Sequence, residues 1–164
     1  MGFRIITVIA CLGWLLTARV AFSSSAAQAP ADANLPPGAG RERVIAVCSE
    51  CHGVGVIQLQ TRTRSHWRSL ITDMALCSGI STPEDIEVII DYAFTHFGII
   101  NVNVADERDL RHALQLTPAE AAAVIDDRGK NGEFRTLEDM RRVKGLDFAK
   151  VEERKARVVF SGDN

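Results

Sequence analysis

Apolar positions recur along this chain at helical spacing, in blocks separated by Gly, Pro and polar runs. The first block is of another kind. Ile5–Leu16 is an apolar run of 12 residues, preceded by Arg4 and followed by Ser23-Ser24-Ser25-Ala26-Ala27-Gln28-Ala29. A positive start, a short apolar middle and a small-residue tail have the order of a secretory signal peptide. The run is well short of the ~20 residues that cross a bilayer. Residues 1–27 therefore read as a signal peptide cut between Ser23 and Ala29. The mature chain is expected in the periplasm, with no membrane span. Residues 28–40, rich in Ala, Pro and Gly, read as a flexible lead-in.

Helical patterns follow. Arg41–Glu50 carries Val44, Ile45 and Val47. Ser65–Ala75 places Trp67, Leu70, Ile71 and Met74 at spacings of three and four, and Gly79 closes it. Thr82-Pro83-Glu84-Asp85 is a helix start: a capping hydroxyl, a first-turn proline, then acids at the positive end of the helix. From it runs the stripe Ile86, Ile89, Ile90, Ala93, Phe94, Phe97, ended by Gly98. Thr117-Pro118-Ala119-Glu120 and Thr136-Leu137-Glu138-Asp139 open two more helices. Asp147 caps a last one carrying Val151, Ala156 and Val158 or Val159. No alternating apolar pattern of useful length appears, so the fold class expected is all-α, with no sheet of consequence.

Within this helical frame one short run carries chemistry: Cys48-Ser49-Glu50-Cys51-His52. C-x-x-C-H is the attachment pattern of a c-type haem. Two thiols one helical turn apart can each join a porphyrin vinyl group, and the adjoining histidine then reaches the iron. The expected cofactor is one covalent haem c, held by Cys48, Cys51 and His52. Rival uses are a Cys48–Cys51 disulfide, or zinc with Cys77 added. Structural zinc usually draws on a second paired motif, and Cys77 stands alone. Four residues compete for the second iron position: Met74, His66, His96 and Cys77. Met74 shares a face with Trp67, Leu70 and Ile71, and a soft thioether suits an electron-transfer iron. Arg62, Arg64 and Arg68 lie between the motif and Met74. One of them is a candidate partner for a haem propionate, since a forked guanidinium matches a carboxylate.

Charge narrows the partners. Arg4 and Arg19 fall in the leader, leaving 17 basic against 21 acidic residues in the mature chain. Such a balance gives no general attraction to nucleic acid or anionic membrane.

The stretch Trp67…Asp73-Met74…Gly79…Asp91-Tyr92…Phe97-Gly98, behind a first helix ending in C-x-x-C-H, resembles exported bacterial monohaem cytochromes of the class I type. The likeness covers residues 41–98. It implies a small cytochrome c domain in which the first and last helices cross beside the haem, with Tyr92 or Phe94 meeting Val44 or Val47. It also implies Met74 as the methionine ligand. A second likeness covers residues 100–160. Asn101-Val102-Asn103-Val104-Ala105, Leu110, then Ala121…Val124-Ile125…Arg128…Asn131-Gly132…Phe134, then Leu137-Glu138-Asp139…Val143-Lys144-Gly145-Leu146 resembles the paired helix-hairpin-helix domain of competence-type DNA receptors. That family grips phosphate with backbone amides in a G-x-G hairpin, where glycine permits close approach. Here Gln115-Leu116-Thr117 and Gly145-Leu146-Asp147 depart from it. Residues from Asn101 to Asn164 hold 12 basic and 13 acidic groups, so the module lacks a basic face for duplex DNA.

The sequence thus reads as a periplasmic electron carrier rather than an enzyme. Its C-terminal module is expected to dock a redox partner protein, with an exported dehydrogenase as the candidate. The alternative is a haem-bearing DNA-binding or DNA-uptake protein. A haem enzyme would need Met74 off the iron, and no acid–base constellation accompanies it.

Overall fold

The computed structural model describes residues 34–78, 82–162 and 164, without the side chains of residues 76–78. The signal peptide, the start of the lead-in, Gly79 and the Cys77 thiol lie outside the described residues. Helix α1 spans Arg41–Cys48, α2 Arg64–Ser78, α3 Pro83–Phe97, α4 Glu107–Leu114, α5 Pro118–Asn131 and α6 Phe148–Glu153. Turns of 3-10 helix cover Val54–Leu59, Glu138–Arg142 and Lys155–Arg157. Two-residue strands β1 (Ile100–Asn101) and β2 (Val158–Val159) pair in parallel.

The expected capping boxes form. Thr82 accepts from Asp85 N–H while Asp85 accepts from Thr82 N–H, and Thr117 and Glu120 do the same for α5. Three elements differ from the sequence pattern. Thr136 does cap Asp139, at 3.2 Å, but only a 3-10 turn follows, because Val143 and Gly145 reverse the chain within five residues. Helix α6 stops at Glu153, and Val158 and Val159 leave it to pair with β1. Helix α4 was not apparent in the pattern. Its signals are Asp106 capping Asp109 N–H at 2.7 Å, with Leu110, Ala113 and Leu114 buried.

Helix α3 is the spine. It packs on α2, α1 and α4, and its Ile89, Ile90, Tyr92, Ala93 and Phe94 are all buried. Gly40, at φ 90°, precedes α1 where it meets α3. A Cβ there would lie 3.0 Å from the Val88 carbonyl oxygen and 3.1 Å from Tyr92 Cβ. Glycine is what allows the approach. Within the lead-in, read as flexible over 28–40, Leu35 is buried and Tyr92 Oη donates to the Pro36 carbonyl at 2.7 Å. A buried tyrosine needs an acceptor for its hydroxyl, and Pro36 provides it.

Beyond α3 the chain continues without a break in the core, from Trp67 and Phe94 to Leu110, Val124, Phe134, Met140 and Val151. Arg157 seals the passage. Its guanidinium donates to the carbonyls of Gly98 at 2.6 Å, Thr95 at 2.6 Å and Phe94 at 2.5 Å. These carbonyls lie at the C-terminal end of α3, where a cation is favoured. Burial lowers the Arg157 pKa to about 10, so the group stays charged at neutral pH.

Candidate functional site

Helix α1 delivers Cys48 at its last turn. The chain then unwinds, which puts Cys51 and His52 beside the C-terminal half of α2. A cavity of about 350 Å³ opens between them, lined by Cys48, Cys51, His52 and Met74 with the apolar walls Val47, Leu70, Ile71 and Ile89. A second compartment of about 220 Å³ shares Cys48, His52, Met74 and Ile71, and adds Val54, Ile57, Arg62 and Trp67. A nearly apolar pocket with a few convergent polar groups is the form of a small-molecule or cofactor site.

All four residues singled out from the sequence border the same cavity. Met74 is 40 % exposed, a large surface for a thioether. Neither His66 nor His96 lines either compartment. His66 hydrogen-bonds with Thr63 Oγ1 at 3.1 Å. His96 packs against the Tyr92 ring at 4.5 Å, and burial lowers its pKa. His52 Nδ1 lies 3.1 Å from the Gly53 carbonyl. With the proton on Nδ1 as donor, Nε2 keeps its lone pair for a metal. Burial raises the Cys48 pKa, which keeps that thiol neutral. Cys48 and Cys51 are not joined to each other. Among the described residues no three His, Cys, Asp or Glu side chains gather as a metal cluster.

The three arginines separate cleanly. Arg64 is 8 % exposed and is spent on Asp91 and Asp109. Arg68 pairs with Glu87. Arg62 alone borders the cavity. Its Nη2 donates to Gln60 Oε1 at 2.8 Å, while its Nε is buried without a partner. Trp67 borders the same compartment, and its Nε1 is also buried without a partner. A buried donor left unpaired costs about 1–3 kcal/mol. Two such donors at one cavity suit a ligand that brings its own acceptors.

The C-terminal hairpins have the opposite character. Gln115 holds a left-handed conformation, φ 54° and ψ 40°, where glycine would be free of strain; a side chain there costs about 1 kcal/mol. Gly145 turns the second hairpin at φ 84°. Residues 96–159 match the helix-hairpin-helix motif family, from the last turn of α3 to the end of β2. The C-terminal part is a helix-hairpin-helix module. No curated protein and no solved structure matches the chain. The architecture is therefore all-α, with a helix-hairpin-helix module closing the chain. Among the described residues no helix is long and apolar enough to cross a membrane.

Proposed function

We propose that the protein is an exported monohaem c-type cytochrome that carries single electrons in the periplasm. The observation that carries this reading is the shared cavity of Cys48, Cys51, His52 and Met74. A haem held there would supply a one-electron iron couple. Cys48 and Cys51 would tether it, and His52 Nε2 and Met74 would ligate the iron. The orphaned donors of Arg62 and Trp67 fit a propionate, whose carboxylate accepts from both a guanidinium and an indole N–H. Ile71, Ile89 and Leu70 would exclude water from the ring, which favours the ferrous state and thioether ligation. A haem ligated by both residues would serve electron transfer rather than substrate turnover. The helix-hairpin-helix module would then present a rigid surface to a redox partner, an exported dehydrogenase being the candidate. Spectra of the purified protein, oxidised and reduced, test this: a low-spin haem with a methionine–ferric charge-transfer band is expected.

A second reading, a haem-bearing DNA-binding or DNA-uptake protein, is favoured by the family match over residues 96–159. Salt-dependent binding of duplex DNA by the full chain would support it.

A further inference from the structure

Backbone N–H groups at helix starts and in tight turns attract anions. Four such groups in the two hairpins donate to acceptors inside the module. In the first, Thr117 N–H donates to Glu120 Oε2 at 2.7 Å, position 118 is a proline with no N–H, and Glu120 N–H donates to Thr117 Oγ1 at 3.2 Å. In the second, Asp147 N–H donates to Glu120 Oε1 at 3.1 Å and Ala149 N–H to Asp147 Oδ1 at 3.1 Å. Lys150 Nζ completes the set on Glu120 Oε2 at 2.7 Å.

One carboxylate, 6 % exposed, thus joins its own hairpin to Asp147 of the other, 27 residues on in sequence. The link to Thr117 is the local capping box. The links to Asp147 and Lys150 are not local, and nothing in helix capping requires them. Burial by itself would raise the Glu120 pKa. Hydrogen bonds from Lys150, Thr117 and Asp147 outweigh it and hold the carboxyl at about 2. The group is therefore a permanent anion at any physiological pH.

We infer that Glu120 is this module's own anion: its carboxylate stands where a nucleic-acid phosphate would be gripped and locks the hairpins to each other, closing them to polyanions. The module is also a rigid cap on α3 through Arg157. Asp147 adds a second negative group at the same place, which repels a phosphate further. The inference goes beyond the haem reading and stands whether or not haem is bound.

The test follows the amide protons of Thr117 and Asp147 by NMR, in the full-length reduced protein, as pH falls. Both are expected to move together, with one midpoint far below the ordinary glutamate value of 4.5, and this shared titration is expected to vanish in Glu120→Gln. Separate midpoints, or a shared one that survives the substitution, would overturn the assignment. A second arm measures random-sequence duplex DNA at low salt. The double variant Glu120→Ala, Asp147→Gly is expected to gain at least about tenfold in affinity over wild type, with the gain lost at moderate salt. Wild-type binding as tight as that of the double variant would overturn it as well.

Discussion

The cavity and the hairpins of this chain treat buried polar groups in opposite ways. Around the cavity, Arg62 Nε and Trp67 Nε1 are withdrawn from water and given nothing, and Met74 stands 40 % exposed. In the hairpins, Thr117 N–H, Asp147 N–H and Lys150 Nζ all converge on one internal carboxylate. Unfinished hydrogen bonding points outward to a ligand; finished hydrogen bonding points to a structural part. The half with no family match is thus the half with open donors beside a cavity. In the matched half, the hairpin amides of Thr117 and Asp147 have their contacts already made.

The largest effect on this comparison comes from the tethers. Replacing Cys48 and Cys51 together by alanine should abolish covalent haem, read as haem lost on denaturation and extraction. Met74→Ala should remove the methionine–ferric band entirely and lower the reduction potential, because thioether favours ferrous iron. A band that survives would move the ligand elsewhere.

Two carboxylates sharpen the contrast through pH. Glu120→Gln should cost about 1–3 kcal/mol at pH 7, since it leaves the Lys150 ammonium and its neighbouring amides poorly matched. The Glu120 pKa is depressed in the folded state. Its stabilisation is therefore complete above the ordinary 4.5 and is lost as pH falls through about 2. Denaturation of wild type and variant should converge toward that pH. Asp109, on α4 at the junction with α2 and α3, has the reverse sign. Burial, then the nearby Asp106, raises its carboxyl from 3.8 to about 6 against the pull of Arg64 and Arg108. The folded protein holds that proton where the unfolded chain has released it, so the stabilisation is present below 3.8 and lost as pH rises through about 6. Asp109→Asn should gain about 1–2 kcal/mol at pH 7 in chemical denaturation, discounted for solvent screening, and lose that advantage in acid. The groups that face Asp109 are Arg64 and Arg68 of α2, Asp91 of α3, Asp106 and Arg108 of the start of α4, and the Asn164 amide.

The smallest expected effect is the most discriminating. Trp67→Phe removes an N–H that has no partner, so without ligand the stability should change by less than about 1 kcal/mol. With haem bound, loss of the indole donor should cost about 1 kcal/mol of haem-linked stability. Equal effects in both states would mean Trp67 only fills space.

Much of this was legible in the chain. The capping boxes at Thr82 and Thr117 fixed two helix starts to the residue, because capping is local chemistry. The spacing of Trp67, Ile71 and Met74 put them on one face, and that face lines the cavity. What could not be read were pairings between distant segments. Nothing near Arg64 announces Asp91 or Asp109, and that pairing is what leaves Arg62 as the arginine at the cavity. Val158 and Val159 look like the tail of an amphipathic helix until Ile100 and Asn101 offer them a ladder. Glu120 reads locally as a capping residue; its second role depends on Asp147, brought beside it only by the hairpins.

The measurement that bears most directly on the central claim is extraction of the denatured, full-length protein with acidified organic solvent, followed by an absorption spectrum of both phases. Haem that stays with the polypeptide, from a native protein whose oxidised spectrum carries the methionine–ferric band, is the predicted result. Haem that passes into the solvent, or a protein matured in a haem-attaching periplasm that is colourless, would contradict it.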